Sequence, residues 1–362
     1  MKLIFLTLTL QSMAIFYTGS YTQAGAPAEN PTGNGIGCFQ LNLETGEIKN
    51  LYYTKQRSPS YLTISEDKKY LYALEEMFEN LNPKVYAYKI EKDGALTLLN
   101  SQKINGDYAC HLDIIEDKLV LANYVSGNLL SFPILNDGSL APCSQEMKHK
   151  GTGPNAERQE AAHAHMVYPF GEDKMYGVDL TLDTAKAYQL NPISKKWEAK
   201  PNLDITIEKG SGSRHMVMDN AEDFAYILGE LTGEISVADL QGSKPEIVQK
   251  LSFIPENHTG AIGGAAIRIH PNGKFLYASN RGSETITIFR IDSETKQLNL
   301  VGHQSTNGKT PRDFNIDNTG KWLIAANQDS NTLVVFQINP KNGTLREQSK
   351  LEVQTPVNIC WL

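Results

Sequence analysis

SYLTIS (residues 60–65), CHLDII (110–115), AHMVYP (164–169), RHMVMD (214–219), AAIRIH (265–270), RDFNID (312–317) and PVNICW (356–361) can be written one beneath another. Their second residues are Tyr61, His111, His165, His215, Ala266, Asp313 and Val357, at intervals of 50, 54, 50, 51, 47 and 44. Seven copies at so steady a period indicate one supersecondary unit repeated around an axis or along a stack.

The first six segments are each followed, some ten residues on, by a second apolar run: KYLYAL, KLVLAN, KMYGVD, DFAYIL, KFLYAS and KWLIAA. Asn272-Gly273 and Thr319-Gly320 lie between such runs, where a tight hairpin needs positive φ and glycine supplies it without a Cβ clash. Third runs follow in VYAYKI, LLSFPI, TITIFR and LVVFQI. Asp93-Gly94, Asp137-Gly138 and Asn342-Gly343 then turn the chain into a short outer strand. Four antiparallel strands per unit describe a propeller blade, so the chain reads as an all-β, seven-bladed β-propeller.

Six units span residues 58–349, leaving AIFYTGSYT and IGCFQLNL at the start and PVNICWL at the end to form the seventh blade. An open ring would expose two sheet edges with unpaired backbone groups. Residues 353–362 are therefore expected to pair with the N-terminal strands and close the ring. A closed ring needs no partner for stability, so a monomer is expected.

Composition agrees with a single folded domain over residues 15–362: 40% of residues are hydrophobic and 21% charged. A formal net charge of −7 offers no basic footprint, so nucleic acid is not an expected partner. Beyond the N-terminus no run of eighteen apolar residues occurs, and no membrane partner is expected. Residues 1–14 allow two readings. Lys2, the run Leu3–Leu10 and the small residues Ser12 and Ala14 resemble a short signal peptide, whereas alternation from Leu6 to Leu10 suits an extra strand. Cys38, Cys110, Cys143 and Cys360 show no CxxC or Cys/His spacing and read as free thiols.

In a propeller the innermost strands line the axis, and the second-residue ring there is rich in titratable groups, flanked by His163, Arg214 and Arg312. At the far end of the second strands stand Glu75, Asn123, Asp179, Glu230, Arg281 and Gln328, and both rings are expected to face one cavity. Any one of these residues could instead brace neighbouring blades. As a set, several histidines and arginines converging on a concavity exceed what bracing requires. No GxSxG elbow, P-loop or dinucleotide fingerprint is present, and GTGPN at Gly151 reads as a surface loop. His163 and His165 would share a strand face near His111, but no carboxylate or cysteine stands at matching spacing, so no metal is expected.

YTGSYT at Tyr17, ANYVSGN at Ala122, HAHMV at His163, SRHMV followed by GEL, YASNRG at Tyr277, and PRDFNID followed by LIAANQDSNTLVVF carry a resemblance. The chain resembles the seven-bladed propeller lactonases of the bacterial 6-phosphogluconolactonase type, a group similar to the fungal carboxymuconate-lactonising enzymes. The resemblance implies hydrolysis of a sugar-acid lactone, foremost 6-phosphogluconolactone, with His165 (or its neighbour His163), Arg214, Glu230 and Arg281 as functional residues and no cofactor. Many relatives carry an acidic residue where this chain has Ala266, which bears on substrate preference.

Lactone hydrolysis needs activated water, a donor for the developing oxyanion and a handle on the substrate's anionic group. The expected roles are His165 or Glu230 as general base, Arg281 at the oxyanion, and Arg214 with Arg312 as an anion clamp. His111, His163, His215, Asn123 and Gln328 complete the expected substrate-binding set. A muconate-type cyclising enzyme and a non-catalytic ligand-binding propeller are the alternatives. A phosphorylated lactone implies the cytoplasm, and a cleaved leader over residues 1–14 would imply the periplasm and an unphosphorylated one.

Overall fold

The computed structural model describes residues 12–362. The leader reading falls mostly on residues 1–11, outside the described residues, while Met13 and Ala14 begin the strand Met13–Ser20. The sheets fall into seven blades of antiparallel strands, six built from consecutive chain and one from both ends. Blades 1 to 6 cover residues 62–103, 109–148, 164–206, 213–252, 264–305 and 311–352. Blade 7 takes its inner strand, Pro356–Trp361, from the C-terminus and its other three, Met13–Ser20, Ile36–Asn42 and Ile48–Thr54, from the N-terminus.

Ring closure therefore occurs as expected, with Tyr17 opposite Cys360 and Thr18 opposite Ile359. The strand Ile48–Thr54 is the outer member that the sequence pattern left out of the seventh blade. Its side chains are mostly exposed or half-buried, so no apolar run marks it. All four cysteines are free. Among the described residues no helix is long and apolar enough to cross a membrane.

Burial explains the strand patterns. A second strand such as Phe275–Asn280 is buried at every residue because adjacent blades cover both its faces, so it reads as continuous apolar chain. An outer strand such as Leu298–Ser305 is mostly open to solvent. The core is accordingly divided into interblade layers. Val217, Tyr226 and Val237 of blade 4 pack on Ile267, Leu276 and Phe289 of blade 5. Phe16 and Phe39 of blade 7 pack on Trp322 and Ile324 of blade 6.

Polar ties cross these layers at a repeated place. The hydroxyls of Tyr17, Tyr72 and Tyr277, each on a second strand, donate to the carbonyls of Gly94, Gly138 and Gly343 at 2.8, 3.0 and 2.8 Å. Those glycines sit in the outer hairpin of the next blade at φ of 88°, 82° and 77°, the left-handed conformation that their Asx-Gly sequences foretold. Trp322 Nε1 makes the equivalent bond to Leu43 at 3.0 Å. Tyr277→Phe is expected to cost about 0.5–1.5 kcal/mol, the usual net worth of one such bond. A urea midpoint unchanged from wild type would show that the tie contributes nothing.

Candidate active site

One backbone hydrogen bond recurs in every blade where the second strand leaves the sheet. The amides of Tyr21, Glu76, Tyr124, Leu180, Glu230, Arg281 and Gln328 donate to the carbonyls of Thr355, Ser58, Tyr108, His163, Gly212, Gly263 and Thr310, at 2.8–3.3 Å. This bond fixes which residues are equivalent, and it corrects the alignment read from sequence. Glu230, Arg281 and Gln328 occupy the ring at the strand exit, but Glu75, Asn123 and Asp179 stand one residue earlier. Their places in the ring belong to Glu76, Tyr124 and Leu180.

The displaced three do structural work. Asn123 Nδ2 donates to Asn128 Oδ1 at 2.9 Å. Asp179 Oδ1 accepts the amides of His163, Thr181 and Leu182 at 3.0–3.1 Å. Glu75 pairs with Arg57 at 2.7 Å, in a separate hollow with Gln56 and Tyr86.

Inner strands hold a second correction. The ladder skips a residue between Ala109 and His111, Ala164 and Met166, Ser213 and His215, and Pro311 and Asp313. Cys110, His165, Arg214 and Arg312 are the extra residues, and such a bulge re-aims a side chain at the rim of a sheet. His165 thus belongs in a row with Cys110, Arg214 and Arg312, one step above the row of Tyr61, His111, His215, Ala266 and Asp313.

These residues meet in a cavity of about 280 Å³ at one end of the axis. Cys110, His165 and Arg312 come from inner strands, Glu76, Tyr124, Glu230 and Arg281 from the strand exits, and Arg158 from the loop between blades 2 and 3. The size is at the small end for a ligand site. A larger hollow of about 520 Å³ runs along Gln337, Asn339, Lys341 and Arg346, away from the axis. It gathers no buried charge, so the chemistry belongs to the axial cavity.

Glu230 is the electrostatic centre. Its Oε1 receives Arg158 Nη2 at 2.7 Å and Arg281 Nη2 at 3.0 Å, while Arg214 Nε lies 3.0 Å from Oε2. Burial alone would push this carboxyl up, but Arg281 and Arg214 hold it well below the usual carboxylate range. Burial and the charge of Arg281 pull Arg214 down to about 10, so it stays protonated. Arg214 is shut away with its side chain 3% exposed, whereas Arg281 and Arg158 open to the cavity at 23% and 43%. Arg312 lies 3.4 Å from Glu76 and over the Tyr21 ring at 5.3 Å.

His165 is buried, and its Nδ1 has no hydrogen-bond partner. Burial and Arg214 hold its pKa well below the ordinary histidine value, so the ring is neutral at pH 7. Burial likewise pushes the Cys110 thiol up, which keeps it protonated and a poor nucleophile.

Other expected residues lie outside this cavity. His163 stacks on Tyr124 at 4.5 Å, with Nδ1 bonded to the Tyr124 carbonyl and Nε2 to Glu160, so both nitrogens are engaged. His111 and His215 lie deeper, their rings 5.5 Å apart and the Tyr61 ring 4.0 Å from His111 in a tilted contact. Asn123 and Gln328 do not line the cavity, and Gln328 donates to Asp329 at 2.8 Å. Among the described residues no group of three or more His, Cys, Asp or Glu could hold a metal ion.

Glu76, Tyr124, Cys110 and Arg158 were not singled out from sequence. Glu76 and Tyr124 follow once the rows are aligned by the backbone bond, and Cys110 once the inner-strand bulges are placed. Arg158 had one available signal: the interval from His111 to His165, 54 residues, is the longest of the series, and the surplus is the loop that begins at GTGPN.

The family model described as Lactonase, 7-bladed beta-propeller, matches residues 15–361. A 6-phosphogluconolactonase of Bacillus subtilis is 32% identical over 312 residues, 84% of this chain and 85% of that protein. One from Formosa agariphila is 30% identical over 83% of this chain and 86% of its own length. The solved periplasmic gluconolactonase of Pseudomonas aeruginosa superposes with a TM-score of 0.90 at 25% identity, covering 97% of this chain and 99% of that one. With its seven closed blades and its arginine-ringed glutamate, the chain belongs to the seven-bladed β-propeller lactonase family.

Proposed function

We propose that the protein hydrolyses 6-phosphogluconolactone to 6-phosphogluconate, with His165 as general base and Arg281 at the oxyanion. The observation that carries this reading is a neutral imidazole lining the cavity, its Nδ1 sealed in the fold and its Nε2 without a protein partner among the described residues, beside an arginine that still has donors to give. Arg281 spends Nε on the Gly263 carbonyl and Nη2 on Gly264 and Glu230. Among the described residues its Nη1 has no partner and can meet a carbonyl oxygen that gains charge.

His165 takes a proton from water as the water oxygen bonds to the lactone carbonyl carbon. The tetrahedral oxyanion is held by Arg281. Its collapse breaks the ring C–O bond, and the imidazolium returns the proton to the departing alkoxide. Glu230 is too weak a base for this task because three guanidinium groups keep it ionised, so its work is to position Arg281 and Arg158.

Four guanidinium groups, those of Arg158, Arg214, Arg281 and Arg312, face two carboxylates, Glu76 and Glu230, at this site. The surplus of two positive charges matches a phosphomonoester, which carries about −1.5 to −2 at pH 7. The Bacillus relative named for the phosphorylated lactone supports the same substrate, and a phosphorylated substrate favours work in the cytoplasm. The Pseudomonas relative, named a periplasmic gluconolactonase, supports an unphosphorylated lactone as the second reading.

Acid release at pH 7 from fresh 6-phosphogluconolactone and from gluconolactone tests both. Wild type is expected to exceed the spontaneous rate, and Arg281→Ala to lower kcat by about 10²–10³, as for loss of one oxyanion donor. If wild type opens neither lactone, the muconate-type or ligand-binding reading takes over.

A further inference from the structure

We infer that Arg158 is the residue that holds the substrate's phosphate, and that the loop carrying it sets the preference for phosphorylated over neutral lactones. The inference rests on the lactonase reading and deepens it. Sequence reasoning gave the anion clamp to Arg214 together with Arg312. Arg214, however, is buried beneath Glu230, its Nε facing that carboxylate and its Nη1 spent on the Ala265 carbonyl. Only its Nη2 is without a protein partner among the described residues, and its side chain is 3% exposed. Arg158 reaches the same carboxylate from the opposite side, at the mouth of the cavity.

The free donors of Arg158 decide its use. Its Nη2 serves both protein contacts, Glu230 Oε1 at 2.7 Å and Tyr124 Oη at 3.1 Å. Among the described residues Nε and Nη1 have no partner. Both paired edges of a guanidinium include Nη2, so with Nη2 spent on the protein, Nε and Nη1 stay as two separate charged donors, each able to meet a phosphate oxygen. Its half-exposed place suits a group that must meet a highly hydrated anion without desolvating it fully.

The loop is built to hold that guanidinium still. Next to Arg158, Gln159 is fully buried. Its Nε2 donates to the Leu180 carbonyl at 2.9 Å, its Oε1 accepts the Asn155 amide at 3.2 Å, and its own carbonyl accepts the Gly153 amide at 2.8 Å. Glu160 is tied to His163, which is locked in turn to the Tyr124 carbonyl. The expected substrate-binding role of His163 thereby becomes a positioning role for Arg158. GTGPN, read as a plain surface loop, is the start of this platform.

Steady-state kinetics on the two lactones test the inference. Arg158→Ala is expected to raise KM for 6-phosphogluconolactone at least tenfold with kcat changed severalfold at most, and to raise KM for gluconolactone far less. Arg158→Lys should recover only part of the loss, because a compact ammonium brings three donors where the guanidinium has five. Equal losses on both lactones would overturn the inference and leave Arg158 as a mere partner of Glu230. Should wild type open neither lactone, the lactonase reading fails separately. Calorimetric binding of 6-phosphogluconate to wild type and Arg158→Ala then still decides, since unchanged affinity would remove Arg158 from phosphate binding.

Discussion

Lowering the pH from 6.5 toward 4.5 is expected to destabilise the protein, by at most about 4 kcal/mol per pH unit. Three histidines drive this. His111, His165 and His215 are buried along the axis, and burial, aided by the charge of Arg214, holds all three well below the ordinary value. In the unfolded chain each takes up a proton below about pH 6.5. The folded chain refuses those protons until far lower pH, so the unfolded state binds more protons and stability falls as pH falls. Three protons amount to about 4 kcal/mol per pH unit. Asp113, Asp313 and Asp183 work in the opposite direction, because burial pushes all three up, Asp113 to about 6. Each is protonated in the fold where the unfolded chain holds it ionised, which offsets part of the histidine effect. Urea midpoints from pH 7.5 to 4.5 give the slope, and His111→Gln with His215→Gln should flatten it. A flat wild-type profile would show the histidines to be proton-accessible when folded.

The sequence made the architecture legible because a propeller repeats its turn chemistry as well as its apolar runs. Asx-Gly at residues 93–94, 137–138 and 342–343 marks the same hairpin in three blades, and the spacing counts the others. The site was less legible for a reason of register. A strand's facing alternates strictly, so one inserted residue moves every side chain beyond it to the other face. The bulges at Cys110, His165, Arg214 and Arg312 are such insertions. The shared HMV of residues 165–167 and 215–217 invited an alignment by identity, yet the ladder pairs Met166 and His215 with equivalent partners, Val178 and Leu228. The same slip chose Glu75 where Glu76 faces the cavity. Arg158 was out of reach for another reason: a loop obeys no repeat, and only its folded course brings it to Glu230, 72 residues away.

His165→Gln is expected to lower kcat on the preferred lactone by about 10²–10⁴, the range for loss of a general base, with little change in melting temperature. The two halves of that expectation come from one observation. Nδ1 of His165 has no hydrogen-bond partner, so removing the ring breaks no polar tie in the fold. A catalytic loss without a stability loss separates chemistry from bracing. The pH profile makes the same separation. Because the imidazole is held neutral well below its ordinary value, kcat/KM should stay level from pH 8 down through 6.5. Initial rates on folded protein should fall only at more acid pH. A base with so depressed a pKa is weak, but it is never lost to protonation at neutral pH, and Arg281 strengthens its partner by stabilising the charge that develops on the carbonyl oxygen. If His165→Gln keeps wild-type kcat, the base lies elsewhere. Glu230 would then have to act despite its three guanidinium neighbours, and Glu230→Gln would show the loss instead.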